Sequence, residues 1–196
     1  MKKVIIGCPR SGTNYTSELF KTNNIQIGHE KIGIDGICSW TLIGLNDQSP
    51  WGPSYTEVIN YYGEKNIEFF HQIRNPLECI SSMTTLQNVS FNYIKNFIPI
   101  NDDDTILLKC MKFWYYWNLR AETITDKRYK IEYVKEYFNL NIDIKNKKIN
   151  TRTHREFEYD DFYKEDPELT EKIIELIKKY DGNNNRIEQV QPYQIL

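Results

Sequence analysis

The chain has 196 residues, 27% of them charged and 14% aromatic, with a formal net charge of −2. That length suits one domain with a sizeable core, and a pI near 6.0 argues against a general nucleic-acid binder, which carries a basic excess. Cys8, Cys38, Cys79 and Cys110 stand far apart with no Cys-x-x-Cys, a pattern of reduced thiols rather than of a disulfide frame.

The amino-terminal Met1-Lys2-Lys3 is followed by too short an apolar run for a secretory signal. No stretch approaches the length needed to cross a bilayer. The expectation is a cytoplasmic protein with no membrane partner and no nucleic-acid partner.

In chain order, Val4-Ile5-Ile6 predicts a strand, Gly7 to Thr13 a turn, and Asn14 to Lys21 a helix. A strand feeding a Gly-bracketed loop and a helix N-terminus outlines a phosphate site, because loop amides and the helix dipole converge on one point. Gly7-x-x-x-x-Gly12 has the glycine spacing of a P-loop, yet Thr13 stands where the lysine would follow. The cation is Arg10, inside the loop. Cys8 invites comparison with a phosphatase nucleophile, but the position that should hold its arginine is Asn14.

Ile25-Gln26-Ile27 reads as a second strand, with Gly28-His29-Glu30 at its carboxyl end. Ile37 to Leu45 predicts a helix, Asn46 to Pro53 a loop, and Ser54 to Tyr62 a capped helix stopped by Gly63. Ile67 to Ile73 reads as a buried strand closed by Arg74-Asn75-Pro76, followed by a helix from Leu77 to Leu86. His71, inside that strand, reads as a structural histidine. Gln87 to Ile100 is helix or loop.

Asp102-Asp103-Asp104 precedes an amphipathic helix carrying Ile106, Cys110, Phe113 and Trp117. Acids there cap a helix and complement its dipole more often than they bind metal. Tyr129 to Tyr133 predicts a strand and Val134 to Leu140 a short helix. The last helix starts at Asp166-Pro167-Glu168 and stops at Gly182. The domain then spans residues 1–182, with a tail at 183–196.

Alternating strands and helices predict an α/β fold: a central parallel sheet flanked by helices, P-loop NTPase-like, in three α/β/α layers. Ligands in such sheets sit at the carboxyl ends of strands. The loops at Gly7–Thr13, Gly28–Glu30 and Arg74–Asn75 should therefore meet along one edge.

Two of these motifs carry a family resemblance. Pro9-Arg10-Ser11-Gly12-Thr13 after an amino-terminal strand resembles the 5′-phosphosulfate loop of sulfotransferases, Pro-Lys/Arg-Ser-Gly-Thr. Arg74-Asn75-Pro76, with Ser82 eight positions beyond the arginine, resembles the motif by which they bind the donor's 3′-phosphate. Tyr129 to Tyr133 and Asn150 to His154 resemble later segments of the bacterial and viral branch.

The resemblance implies sulfuryl transfer from 3′-phosphoadenylyl sulfate (PAPS) to a hydroxyl or amine, leaving adenosine 3′,5′-bisphosphate and needing no metal. It implies donor binding by Pro9, Arg10, Ser11, Gly12, Thr13, Asn14, Arg74 and Ser82. Arg152 would replace an Arg-Lys-Gly type loop that the chain lacks, with His154 or Arg155 as substitutes. Arg10 would stabilise developing charge. Glu30 would be the general base, with His29 the alternative.

Bland roles stand beside these: Arg74 in a surface ion pair, Glu30 as scaffold. Trp40, Trp51, Tyr55 and the Phe91–Phe97 segment suit a carbohydrate acceptor but equally fill cores. Two other readings are a kinase using MgATP, which should carry Gly-Lys-Ser/Thr and a strand-end Asp, and a non-catalytic nucleotide-binding module of the same fold.

Overall fold

In the computed structural model, which describes residues 1–144 and 153–182, five strands form one parallel sheet. They are β1 (Lys2–Gly7), β2 (Ile27–His29), β3 (Gly36–Cys38), β4 (Ile67–Ile73) and β5 (Arg128–Lys130), in the spatial order β2-β3-β1-β4-β5. Central β1 pairs with both neighbours, Val4 standing between Ile37 and Phe69. The helices are α1 (Thr13–Thr22), α2 (Tyr55–Tyr62), α3 (Pro76–Met83), α4 (Asn88–Ile94), α5 (Ile106–Glu122), α6 (Val134–Tyr137), α7 (Tyr159–Glu165) and α8 (Pro167–Gly182).

The two-residue period of β1 sorts its side chains between two cores. Val4 and Ile6 join the larger core with Ile73, Met111, Trp114 and Trp117. Ile5 points the other way, to Leu19, Phe20, Phe70 and Tyr129. Helices thus cover both faces of the sheet, as a buried parallel sheet requires.

Local signals behave as their chemistry dictates at several helix ends. Ser54 and Glu57 form a reciprocal capping box on α2, which Gly63 ends at φ 78°. Asn75 caps α3, with Pro76 in its first turn. Asp166 accepts from the Leu169 amide (2.9 Å) at the start of α8.

Several elements depart from expectation: α7 is not marked in the sequence, and α3 and α6 end three residues early, at Met83 and Tyr137. The run Ile37–Leu45 is no helix: its first part is β3, followed by a single 3-10 turn at Thr41–Gly44. A strand buried on both faces reads as an unbroken apolar run, which periodicity cannot separate from a buried helix. β2 begins at Ile27 rather than Ile25, so Gly28 and His29 lie inside the strand. β5 begins and ends earlier than expected, and Ile131–Tyr133 forms a 3-10 turn.

The acidic run before α5 does not cap it. Thr105 does, accepting from the Leu108 amide (3.1 Å), while Asp104 pairs with Lys112 (2.7 Å) and Asp102 with Lys95 (3.3 Å). Among the described residues no cluster of three or more His, Cys, Asp or Glu is arranged to hold a metal. Nor is any described helix long and apolar enough to cross a membrane. The tail at 183–196 lies outside the described residues.

Candidate active site

A cleft of about 280 Å³ opens at the carboxyl edge of the sheet. The three loops expected to meet there do so. From the first loop and α1 come Pro9, Arg10, Gly12, Thr13 and Asn14; from the end of β2, His29 and Glu30; from β4 and α3, Arg74 and Ser82. Tyr15, Trp40, Trp51, Leu86, Gln87 and Ser90 complete the wall.

The first loop turns sharply because two residues take the left-handed conformation, Arg10 at φ 69° and Gly12 at φ 94°. Glycine is needed at position 12, where a Cβ would also lie 2.0 Å from Cδ1 of Ile131. At Gly7 a Cβ would come within 2.5 Å of the Gln72 carbonyl oxygen, so the loop leaves the sheet closely packed on β4. The first turn of α1 has no side-chain cap and no acidic residue. Its amides and positive dipole end face the cleft, which suits an anion.

Gln72 fastens this loop from below. Its Nε2 donates to the Ser11 carbonyl (2.8 Å), and its Oε1 accepts from the Thr16 hydroxyl (2.5 Å) and the Tyr129 hydroxyl (2.8 Å). One fully buried amide therefore ties the loop, α1 and β5 together.

Ser11 is a partial correction. Its hydroxyl is buried against Gly7, and its amide donates to the Cys8 carbonyl (3.0 Å), so it shapes the turn rather than lining the cleft. Cys8 is buried with its thiol pushed well up by desolvation, which suits no nucleophile. All four cysteines are free and buried.

The two arginines are built into the loop. Arg10 Nη2 donates to the Thr85 hydroxyl (2.9 Å), just beyond α3. Arg74 donates from Nη1 to the Arg10 carbonyl (2.9 Å) and pairs with Glu78 through Nη2 (2.9 Å). The bland role for Arg74 is thus present together with a place in the cleft wall. The Glu78 carboxylate is half-exposed and rests on the guanidinium as an anion would.

Glu30 lines the cleft beside His29, at φ 49°, its amide donating to the Cys38 carbonyl (3.0 Å). Its Oε2 accepts from the Ser39 hydroxyl (2.5 Å), while Oε1 is buried with no hydrogen-bond partner. Desolvation raises the carboxyl to about 7, with the Ser39 hydroxyl and the Trp40 amide opposing the shift. His29 Nε2 lies 3.2 Å from the Thr13 hydroxyl and 3.9 Å from Glu30. Burial, with Lys21 nearby, lowers His29 to about 4. At neutral pH the imidazole is uncharged and weakly basic, whereas the carboxylate is poised for proton transfer.

Comparison of the chain with family models, curated proteins and solved structures finds no match.

The remaining candidates divide. Arg152 lies outside the described residues. Among its substitutes, His154 contacts the Arg155 carbonyl, and Arg155 pairs with Asp161 (2.9 Å) and covers the Phe157 ring (4.5 Å). His71 is structural: fully buried, with Nε2 2.8 Å from Asn118 Oδ1. Of the aromatic candidates, Trp51 and an edge of Trp40 line the cleft, while Trp40 otherwise joins Phe91 and Tyr93 in the larger core and Tyr55 packs against it. Residues that the motifs do not mark are Gln72, Ser39, Glu78 and Thr85. A polar residue inside an apolar strand was the available signal for Gln72; nothing in the sequence marks the others.

Proposed function

We propose that the chain is a sulfotransferase of P-loop-like fold, moving a sulfuryl group from PAPS to a hydroxyl or amine acceptor. The observation that carries this is the meeting of the Pro9–Thr13 loop, Arg74, Ser82 and the Glu30 carboxyl in one cleft. Charged and hydroxyl groups suited to two anionic groups share that cleft with a carboxyl whose pKa is raised toward neutrality.

The residues fit the donor. The uncapped first turn of α1, Arg10 and Thr13 suit the 5′-phosphosulfate, and Arg74 with Ser82 suits the 3′-phosphate. Glu78, already resting on Arg74, marks that guanidinium as a place for an anion. The donor, when bound, supplies an electrophilic sulfur and a bisphosphate leaving group.

The chain's own residues then divide the work. Arg10, held by Thr85 and by its place in the tight turn, opposes charge developing on the bridging oxygen. The Glu30 carboxylate takes the proton of the attacking hydroxyl or amine. His29, uncharged, stays between Thr13 and Glu30 without competing for that proton. Trp40 and Trp51 offer apolar faces for the acceptor, which agrees with a carbohydrate ring.

Incubation with sulfur-labelled PAPS and a panel of sugar, amine and phenol acceptors tests the reading. Label should pass to one acceptor class, with Arg10→Ala and Glu30→Gln each lowering turnover at least about 100-fold. Glu30→Gln should keep its affinity for adenosine 3′,5′-bisphosphate. Binding of the bisphosphate with no transfer to any acceptor would leave the non-catalytic module standing instead.

A further inference from the structure

Behind Glu30 the side-chain hydroxyls do not end at Ser39. Ser39 Oγ lies 2.9 Å from Thr41 Oγ1, which accepts from Ser49 Oγ at 3.0 Å. The three hydroxyls lead from a fully buried serine, through a buried threonine, to a half-buried serine in the Asn46–Pro53 loop. Both Thr41 (3.2 Å) and Ser49 (2.6 Å) also reach the Trp51 carbonyl oxygen. The Trp51 amide approaches Ser49 Oγ at 3.3 Å from the donor side.

We infer that Ser39, Thr41 and Ser49 form a hydroxyl relay that carries the proton taken up by Glu30 away from the cleft to solvent. The inference rests on the reading of Glu30 as the base.

Two orientations of the relay satisfy its hydrogen bonds. With Glu30 ionised, Ser49 donates to Thr41, Thr41 to Ser39 and Ser39 to Oε2, so every O–H points inward. With Glu30 protonated, the acid donates to Ser39 and Ser39 to Thr41. Thr41 and Ser49 then turn to the Trp51 carbonyl, an acceptor within reach of both. Once Thr41 turns its O–H to Ser49, Ser49 its own to water, and the carboxyl rotates to bring its proton to Ser39, the acid gives that proton to Ser39 Oγ, Ser39 passes its own to Thr41, Thr41 to Ser49, and Ser49 to water. Each oxygen ends with one proton, Glu30 is a carboxylate again, and the inward orientation is restored.

The surroundings make this route useful. Oε1 is buried, and an acceptor in the cleft would cover the carboxyl from that side. The titratable neighbours are His29 beside it and the Cys38 thiol on β3, with Lys21 and Glu18 of α1 acting on His29 through space. None of them belongs to the hydroxyl chain. His29 is uncharged at neutral pH and Cys38 holds its proton tightly, so neither offers an alternative exit.

Thr41→Val keeps the shape and removes the middle hydroxyl; Thr41→Ser keeps the hydroxyl. The first readout is the rate at which the Glu30 carboxylate infrared band disappears after a rapid pH drop across neutrality. That band is assigned by its loss in Glu30→Gln, and the measurement needs no substrate. Thr41→Val should slow protonation roughly tenfold and Thr41→Ser should match wild type. The second readout is turnover, where Thr41→Val should lower kcat, leave KM unchanged and enlarge the solvent deuterium effect.

Equal protonation rates in wild type and Thr41→Val overturn the relay, whatever turnover shows. A slowed rate together with a wild type that transfers no sulfuryl group supports the relay and sinks the proposed reaction. A Thr41→Val chain whose slow protonation is not restored in Thr41→Ser overturns the relay in favour of a packing effect.

Discussion

Glu30 and His29 are adjacent in sequence yet are driven in opposite chemical directions by the same cause. Burial disfavours charge, so the carboxyl rises to about 7 and the imidazole falls to about 4. The consequence for stability has a definite sign. Between pH about 4.5 and about 7 the folded carboxyl keeps a proton that the unfolded one has lost, so stability falls as pH rises through that window. Glu30→Gln removes this dependence. Urea unfolding across a pH series should show the variant on the order of 1–3 kcal/mol more stable than wild type above pH about 7, and the advantage should vanish toward pH about 4.5. An advantage independent of pH would place the cause in packing instead. Glu30 was legible in the sequence as a carboxyl at a strand end. Its pairing with Ser39 was not, because Ser39 follows β3, a strand that reads as part of a helix.

At the scale of elements, the loop at Gly7–Thr13 shows which signals are local and which are not. The glycines, the arginine and the following helix can be read within fifteen residues, since each answers a backbone or charge requirement there. What holds the loop in place is 61 residues away, where Gln72 meets the Ser11 carbonyl. Gln72→Leu leaves that carbonyl and the Thr16 and Tyr129 hydroxyls without the amide they share. Chemical denaturation should show a loss on the order of 2–4 kcal/mol, with weakened anion binding by the loop even where the chain stays folded. Unchanged affinity for adenosine 3′,5′-bisphosphate would mean that the loop holds its own shape. The β2 and β3 misreadings have a common root: short parallel strands buried on both faces offer neither alternation nor length.

The whole molecule brings residues from the ends of β1, β2 and β4, and from the chain that follows β3, to one edge of the sheet because the strands are parallel. The meeting of the loops after β1, β2 and β4 follows from the alternation of strands and helices, whereas the share of the chain after β3 was hidden because that strand reads as part of a helix. The larger core, with Trp114 and Trp117 fully buried, and the smaller one around Phe20 and Phe70 fix the sheet between two helical layers. The cleft's roughly 280 Å³ lies near the lower end of ordinary ligand sites, about 300–1,000 Å³. That room suits the reacting groups of the proposed donor and acceptor rather than the whole of both.

On the proposed reading, this edge of the sheet holds a donor with two separate anionic groups. Isothermal titration calorimetry of the wild-type chain with adenosine 3′,5′-bisphosphate, set against MgATP, tests it most directly. One bisphosphate should bind per chain, with Arg74→Ala weakening it at least about tenfold, the loss expected for a charge-assisted phosphate contact, and MgATP should bind far more weakly. Preferential binding of MgATP, or bisphosphate affinity indifferent to Arg74, would contradict the account.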